Sequence, residues 1–237
     1  MSRKSKIWLF SLILIFILII SCNKDQQYIL LNLNPWPVYG SMTDKDGNTY
    51  RTRTIGTQTW MAENLKTTKF KDGTSIPVVT DATTWNNLLS PACCWQYNNP
   101  DYKVKYGVLY NWYVVSTKKL CPAGWHVPSD EEWTQLTDYL GGEMMAGGKL
   151  KEIGFRHWYS PNSGATDENA FRALPGGSFN VADTVFRNIR EIGCWWTIST
   201  HTEDMAINRL MYNNSERVDR FFYPKKSGLS VRCIMDY

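Results

Sequence analysis

Residues 120–142 read LCPAGWHVPSDEEWTQLTDYLGG and carry the strongest structural signal in the chain. His126 lies close to three consecutive acids, a combination that suits either acid–base catalysis or the start of a helix. Ser129 followed by Glu132 has the spacing of a capping box, in which each side chain accepts a hydrogen bond from the backbone N–H of the other residue. The helix dipole also favours acids in the first turn. We therefore interpret the cluster as a helix start rather than a catalytic site.

The helix that follows has a predictable buried face and a predictable end. Trp133, Leu136 and Leu140 stand at positions i, i+3 and i+7, so their side chains share one face of a helix. Gly141 and Gly142 follow directly, and glycine readily takes the left-handed conformation that ends many helices. The stretch thus predicts one short amphipathic helix.

A hairpin is predicted upstream of this helix. The segment MTDKDGNTYRTRTI carries Asp46 and Gly47 between β-forming residues, which is a strong turn signal. Its alternating polar residues resemble part of a calcium-binding EF-hand loop, but Thr49 and Thr54 stand where such a loop requires glycine and glutamate. We therefore expect a turn here and not a calcium site.

Strand signals dominate the C-terminal third of the chain. The segments CWWTIST, MAINRLMY, RVDRFFY and GLSVRCIM are separated by polar turns, and in the last segment Leu229, Val231 and Cys233 share one face. A further apolar helix is expected over residues 107–115. Together these elements predict the α+β class, with an irregular antiparallel sheet and one or two short helices in a single domain over residues 41–237.

The first residues have the features of an export signal. Arg3, Lys4 and Lys6 precede an apolar run over residues 7–20, which is too short to span a bilayer comfortably. The run ends in IISC, which resembles a bacterial lipobox, the motif in which a cysteine is lipidated and becomes the mature N-terminus. Residues 1–21 are therefore predicted to be a lipoprotein signal peptide.

Lipidation at Cys22 would attach the mature chain to a membrane through acyl chains, with residues 22–40 as a tether. The expected location is the cell envelope, as an outer-membrane lipoprotein that faces the periplasm or the cell surface. Loss of the three basic residues of the signal lowers the formal net charge from +4 to about +1. Because no basic patch remains, a nucleic-acid partner is not expected.

Export also makes disulfides available to the remaining cysteines. The chain has six cysteines, and lipidation of Cys22 leaves an odd number, so at least one thiol stays free or pairs between chains. No cysteine and histidine spacing typical of a zinc site occurs in the sequence, so neither a metal site nor a cofactor is expected.

Several blocks carry a family resemblance when they are taken in order. They read WMAENLKT, YGVLYNWYVV, CPAGWHVPSDEEW, GGKLKE, ATDENAFRALPGG, CWWTIST and KKSGLSVRC. Together, over about residues 43–236, they resemble the Fibrobacter succinogenes major paralogous domain, which occurs in surface and secreted proteins of Bacteroidota and Fibrobacterota. The resemblance implies an exported or lipid-anchored protein but no defined molecular activity.

A more distant similarity concerns the fold. GWHVPSDEEW followed by GLSVRC is similar to blocks of the formylglycine-generating-enzyme group, which belongs to the C-type-lectin-like folds. This similarity implies a long-range disulfide between Cys121 and Cys233. Cys94 with Cys194 is a second candidate bridge, in which Cys93 could equally replace Cys94.

The activities of these relatives are not implied, because the sequence departs from their motifs. A formylglycine-generating enzyme needs a close cysteine pair near its C-terminal region, where this chain has only the isolated Cys194 and Cys233. The three histidines are too scattered for the iron site of related members. Calcium-dependent lectins need a sugar-binding tripeptide downstream of the helices, and the nearest match, NPD at residues 99–101, lies upstream of Cys121.

Aromatic residues make up 14% of the chain, and 11 of them are tryptophans. We expect most tryptophans in the core, including Trp133 and one member of the Trp195-Trp196 pair, because a loop-rich domain needs large apolar side chains. Others flank polar loops, where exposed aromatic rings could contact a ligand. These weaker ligand-binding candidates are Trp95, Tyr97, Trp158, Tyr159 and Tyr212.

The function expected from the sequence is non-catalytic binding of an extracellular ligand, either a glycan or a protein partner. A structural or assembly role in the envelope is the alternative. An enzyme of the formylglycine-generating-like group is less favoured, because the sequence lacks a recognisable nucleophile, metal or acid-pair constellation.

Overall fold

The computed structural model describes residues 39–237. The predicted signal peptide over residues 1–21, the predicted lipidation site Cys22 and the predicted tether up to residue 38 lie outside the described residues. No helix in the described part of the chain is long and apolar enough to cross a membrane.

Short strands and short helices alternate along these residues, as expected for the α+β class. The strands are β1 (Gly40–Thr43), β2 (Thr49–Ile55), β3 (Gln58–Met61), β4 (Cys93–Cys94), β5 (Leu109–Tyr110), β6 (Trp125–His126), β7 (Ser178–Asn180), β8 (Val185–Arg187), β9 (Ile192–Thr200), β10 (Met205–Tyr212), β11 (Asp219–Pro224) and β12 (Ile234–Met235). The α-helices are α1 (Ala82–Asn87), α2 (Pro100–Tyr106), α3 (Trp112–Ser116), α4 (Asp130–Tyr139) and α5 (Glu143–Leu150). A 3-10 turn covers Gln96–Asn98.

The strands form antiparallel sheets. The larger sheet has the order β1-β2-β3-β12-β6, so the last strand of the chain lies between two strands from earlier parts. A three-stranded sheet has the order β11-β10-β9, and two further pairs join β4 to β5 and β7 to β8. The described residues contain five α-helices, more than the one or two that were expected, but each helix is short.

The predicted hairpin is present between β1 and β2. The N–H of Gly47 donates to the Asp44 carbonyl over 3.1 Å, and Gly47 has a φ of 82°. The Asp44 carboxylate accepts the backbone N–H groups of Asp46 and Asn48 at 2.8 and 3.0 Å. The acid that resembled a calcium ligand therefore closes the turn.

Helix α4 begins and ends as the sequence predicts. The Ser129 hydroxyl accepts the Glu132 N–H over 3.1 Å, and the Ser129 N–H donates to the Glu132 carboxylate over 2.8 Å. Trp133 and Leu136 are buried, and Gly141 beyond the end of the helix has a φ of 97°. The capping-box interpretation is confirmed.

Tryptophans fill much of the core, and the expectation for the Trp195-Trp196 pair was wrong. Both side chains are fully buried. Neighbours in a strand point to opposite faces, and here each face is covered by its own cluster. Trp195 packs in the cluster that contains Trp133, whereas Trp196 packs in the cluster that contains the Cys121–Cys233 pair.

The apolar helix predicted over residues 107–115 was also wrong in its first half. Leu109 and Tyr110 pair with β4 as strand β5. The helix starts only at Trp112, because the side chain of Asn111 caps it by accepting the N–H of Val114 over 3.3 Å. A local polar cap thus divides an apolar run into a strand and a helix.

The predicted closing strand is shorter than the segment GLSVRCIM. Only Ile234 and Met235 form β12, and the preceding residues make isolated bridges to Tyr110 and Trp195 instead. The face predicted from alternation is nevertheless buried: Leu229, Val231 and Cys233 all lie in one core cluster.

The long-range disulfide is present between Cys121 and Cys233, which are separated by 112 positions in the sequence. The second candidate bridge was wrong: Cys93, Cys94 and Cys194 are buried free thiols. Cys94 packs beside β5 in a small cluster, whereas Cys194, a residue of β9, lies in the main cluster, so the two side chains belong to different parts of the core.

Candidate functional site

Two aromatic loops that lie about sixty residues apart in the sequence converge on one surface. Ring centroids lie 5.6 Å apart for Phe186 and Tyr97, 5.9 Å for Tyr97 and Tyr102, and 5.9 Å for Tyr102 and Tyr106. The contacts continue from Tyr106 to His157 at 5.7 Å. We define the aromatic surface as Tyr97, Tyr102, Tyr106, His157, Tyr159, Phe186 and Arg190.

Tyr159 and Arg190 complete this surface at its far end. The guanidinium carbon of Arg190 lies 4.5 Å from the centroid of the Tyr159 ring. Burial raises the pKa of Tyr106, and the positive charge of Arg190 partly offsets that rise. Tyr97 is 53% exposed and Tyr159 is 48% exposed, so the two outer rings are accessible to a ligand.

Two of the predicted ligand-binding residues therefore lie in the aromatic surface, and three do not. Trp158 is fully buried, and its indole N–H donates to the Ala173 carbonyl over 2.9 Å. The prediction of exposure was wrong there, because Trp158 packs in the core cluster that contains Trp133 and Phe171. Trp95 is partly buried against the main cluster, with the Lys103 ammonium 5.2 Å from its ring centroid. Tyr212 also packs against the main cluster.

The loop that carries Tyr97 is fixed from below by a buried glutamine. The Gln96 amide donates to the carbonyls of Gly176 and Arg187 over 3.0 and 3.1 Å. Tyr97 has a φ of 51°, in the left-handed region that tyrosine rarely occupies. Such a conformation persists where surrounding contacts enforce it, and it is often associated with functional sites. A Cβ at Gly177 would overlap both the Arg187 carbonyl and the Gln96 amide, so this approach requires glycine.

Helix α2 presents the next two rings. Asn99 caps the helix by accepting the N–H of Asp101 over 2.9 Å. Tyr102 and Tyr106 stand four residues apart and therefore share one face of the helix. At the other end, the side chain of Asn64 donates to the Tyr106 carbonyl over 2.8 Å. The two ends of α2 are thus fixed by asparagine side chains.

The segment that carries Tyr159 is held by backbone contacts with Arg190. The Tyr159 N–H donates to the Arg190 carbonyl over 2.7 Å, and the Arg190 N–H donates to the Pro175 carbonyl over 3.0 Å. The guanidinium of Arg190 donates to the Phe155 carbonyl over 3.1 Å. These bonds fix both the ring and the cation that lies over it.

A buried acid supports the inner end of the surface. The Glu152 carboxylate bonds Nδ1 of His157 at 2.6 Å and the Arg172 guanidinium at 2.9 Å. Burial raises the pKa of Glu152, but the hydrogen bonds from His157 and Arg172 outweigh it and hold this pKa below its ordinary value. The carboxylate therefore stays ionised and orients the His157 ring, since the other ring nitrogen has no protein partner within residues 39–237.

The sequence matches the Fibrobacter succinogenes major domain over residues 54–235. This chain belongs to that family. No curated protein and no solved structure matches the chain. The C-type-lectin-like label therefore stays a prediction beyond the α+β class that the structure shows.

In this Fibrobacter succinogenes major domain, two motif residues act as buried hydrogen-bond centres. The Asn64 side-chain oxygen accepts the Trp195 indole N–H and the Arg232 Nε–H, both at 2.9 Å. The remaining Arg232 donors bond the carbonyls of Met61, Phe171 and Arg172. Burial lowers the pKa of Arg232 to about 9. The blocks WMAENLKT and GLSVRC thus meet each other in the core, below the aromatic surface.

The histidine of the block CPAGWHVPSDEEW lies in a different polar cluster of the family domain. Nε2 of His126 lies 2.9 Å from the Glu132 carboxylate, and Nδ1 lies 2.6 Å from the Asp236 carboxylate. Burial lowers the pKa of His126, but the hydrogen bonds and charges of both acids outweigh burial and raise it above its ordinary value. Both ring nitrogens are thus engaged, which suits a structural ion pair. Asp236 is 110 residues away, and no local sequence pattern pointed to it.

A cavity of about 270 Å³ adjoins this histidine. Its lining is mostly apolar and consists of Val115, Lys118, Leu120, Cys121, His126, Val127 and Ile198. Among residues 39–237, no group of three or more His, Cys, Asp or Glu side chains is placed to hold a metal ion.

Proposed function

We propose that this chain is a lipid-anchored cell-envelope protein whose domain binds an extracellular glycan, without catalysis, through the aromatic surface. The convergence of the Tyr97 and Tyr159 loops carries this proposal. Sugar rings have apolar C–H faces that pack on aromatic rings, while their hydroxyl groups bond nearby polar side chains. Two exposed tyrosines, a cation and an oriented histidine in one place provide both kinds of contact.

The test is a binding screen of the mature chain without its lipid, residues 23–237, against soluble glycans and insoluble polysaccharides, with and without a calcium chelator. We expect saturable binding that persists in chelator. Tyr159→Ala and Tyr97→Ala should each weaken it by roughly 3- to 10-fold, the usual effect of one aromatic contact. Tyr139→Ala is the matched control, since Tyr139 is also exposed but lies on α4 outside the aromatic surface.

Absence of binding to every glycan in the screen, or an equal loss of affinity for Tyr139→Ala and Tyr159→Ala, would overturn the proposal. Binding that is lost in chelator would instead indicate a calcium-dependent lectin.

The lipid anchor is a separate part of the proposal, and the apolar run that ends in IISC supports it. We expect the wild-type chain to fractionate with the outer membrane and the mature N-terminal peptide to carry acyl chains by mass spectrometry. Cys22→Ala should release the chain from the membrane fraction or leave its signal uncleaved. A processed, unacylated and soluble wild-type chain would contradict the anchor.

A structural role in the envelope is the second candidate function, and strand β11 favours it. This strand forms an edge of the three-stranded sheet, so part of its backbone is open to pairing with another chain. Phe221 on this edge is 52% exposed. Cross-linking on whole cells that captures a neighbouring envelope protein through β11, together with no glycan binding, would favour this role.

A further inference from the structure

The charges around the aromatic surface differ from those of the chain as a whole. The mature chain is nearly neutral, yet the three segments that build the surface, residues 95–106, 155–160 and 186–192, carry five Lys or Arg residues and only two acids. This excess of positive charge is local, and it coincides with the exposed rings.

Arg190 is the central cation of this group. Its guanidinium lies over the Tyr159 ring and donates one hydrogen bond to the Phe155 carbonyl. Its Nε is buried without a hydrogen-bond partner, and the residue forms no salt bridge within residues 39–237. Nη1 also has no hydrogen-bond partner within these residues and, unlike Nε, is not buried, so this end of the guanidinium can pair with an acidic group of a ligand without losing a protein partner.

Lys105 and Arg156 extend the positive charge on both sides. Lys105 follows Tyr102 by three residues on α2 and is exposed, and Arg156 is exposed next to His157. Neither forms a salt bridge in the described part of the chain. The C-terminal end of a helix dipole favours Lys105 at its position, but it does not supply the carboxylate that an ion pair would need.

The acids nearby form no ion pair with these cations within residues 39–237. Glu152 is paired with His157 and Arg172, and Asp183 is paired with Arg187. Asp101 lies in the first turn of α2, at the other end from Lys105. Glu191 is exposed next to Arg190 in the chain but forms no ion pair with it, so neither Arg190 nor Lys105 has an ion-pair partner within residues 39–237.

From these observations we infer that the ligand is an anionic glycan, one whose sugars carry carboxylate or sulfate groups. This inference rests on the proposed glycan binding and names its ligand class. The rings of Tyr97 and Tyr159 pack against the sugar faces, and the acidic groups pair with the Arg190 guanidinium, whose planar fork matches carboxylate and sulfate oxygens. A neutral glycan would leave these cations without partners.

The test uses pairs of ligands that differ in charge and share a backbone. Binding of the mature chain is measured to polygalacturonate against its methyl ester, and to dextran sulfate against dextran. We expect each charged member to bind at least tenfold more tightly and its affinity to fall as salt is raised. The two charged ligands separate carboxylate recognition from sulfate recognition.

Two variants locate the charge that matters. Arg190→Gln and Lys105→Gln should each lower affinity for the charged ligand, by about tenfold for Arg190. Lys118→Gln is the control. Lys118 is an exposed cation with a left-handed φ of 58°, comparable to the 68° of Arg190, but it lies beside the His126 cavity. It removes the same charge and should leave binding unchanged.

The outcomes separate this inference from the proposal it rests on. Equal binding of charged and neutral members, with loss on Tyr159→Ala, would overturn the anionic class and leave glycan binding standing. Equal effects of Arg190→Gln and Lys118→Gln would show attraction by net charge alone and would also overturn it. Absence of binding to every glycan would overturn both.

Discussion

His126 shows how a single residue acquires a role that its neighbours in the sequence do not reveal. Glu132 caps α4 and also bonds His126, whose other nitrogen bonds Asp236. Because these acids raise the pKa of His126, protonation of this residue stabilises the folded state. That contribution is fully present below the unfolded pKa of about 6.5, and it is lost as the pH rises through the higher folded value.

We therefore predict that the free energy of unfolding of the wild-type chain decreases, relative to His126→Gln, as the pH rises from about 6 to 8. The wild-type protein should lose about 0.5–1 kcal/mol more than the variant over this pH range, a small effect because the His126 side chain is 36% exposed and solvent screens the pair. Urea denaturation at a series of pH values measures it. Burial raises the pKa of Asp167 to about 6, but Asp167 titrates in both the wild type and the variant, so its contribution cancels when the two are compared. Parallel stability curves for the two chains would exclude the proposed role of His126.

At the scale of elements, the sequence predicted what is determined locally. Helix α4 was foreseen because its cap, its apolar stripe and its terminal glycines all lie within fourteen consecutive residues. The helix predicted over residues 107–115 was wrong in its first half, because Leu109 and Tyr110 pair with β4, which only the fold brings alongside them. The prediction that Trp158 is exposed was wrong for the same reason, since the core that covers it comes from distant elements.

Gly177 lies against Gln96, which anchors the loop of Tyr97, so a substitution at Gly177 tests this anchor. Gly177→Ala would place a Cβ against the Arg187 carbonyl and the Gln96 amide, at a φ of 64°. We expect a loss of about 2–4 kcal/mol in unfolding free energy and weaker ligand binding, because the Gln96 anchor must move. Gly73→Ala is the control: Gly73 has a φ of 90° but no atom within 4 Å of the added Cβ, so it should cost only about 1–2 kcal/mol. Equal losses in denaturant unfolding would show that left-handed strain alone, and not the anchor, explains the effect.

Across the whole molecule, the candidate site depends on contacts that no local pattern encodes. Tyr97 and Tyr159 were each marked by the polar loops that flank them, but their meeting on one surface requires Gln96, Asn64 and Arg190 to join distant segments. Asn64 gave no signal of its own in the sequence. The long-range disulfide was foreseen only through the resemblance to a fold, since spacing alone leaves the pairing of the cysteines open.

That disulfide yields the prediction for the molecule as a whole. Cys121–Cys233 joins the segment before α4 to the end of the chain, where β12 lies between β3 and β6. A loop of 112 residues should stabilise the fold by roughly 4–5 kcal/mol, because it restricts the unfolded chain. The double variant Cys121→Ala, Cys233→Ala should therefore lose about 3–5 kcal/mol in urea denaturation. Reductant should destabilise the wild-type chain similarly and leave the double variant unchanged, since its other described thiols are free. A wild-type chain indifferent to reductant, despite full reduction by mass spectrometry, would show that the sheet alone fixes the C-terminal segment.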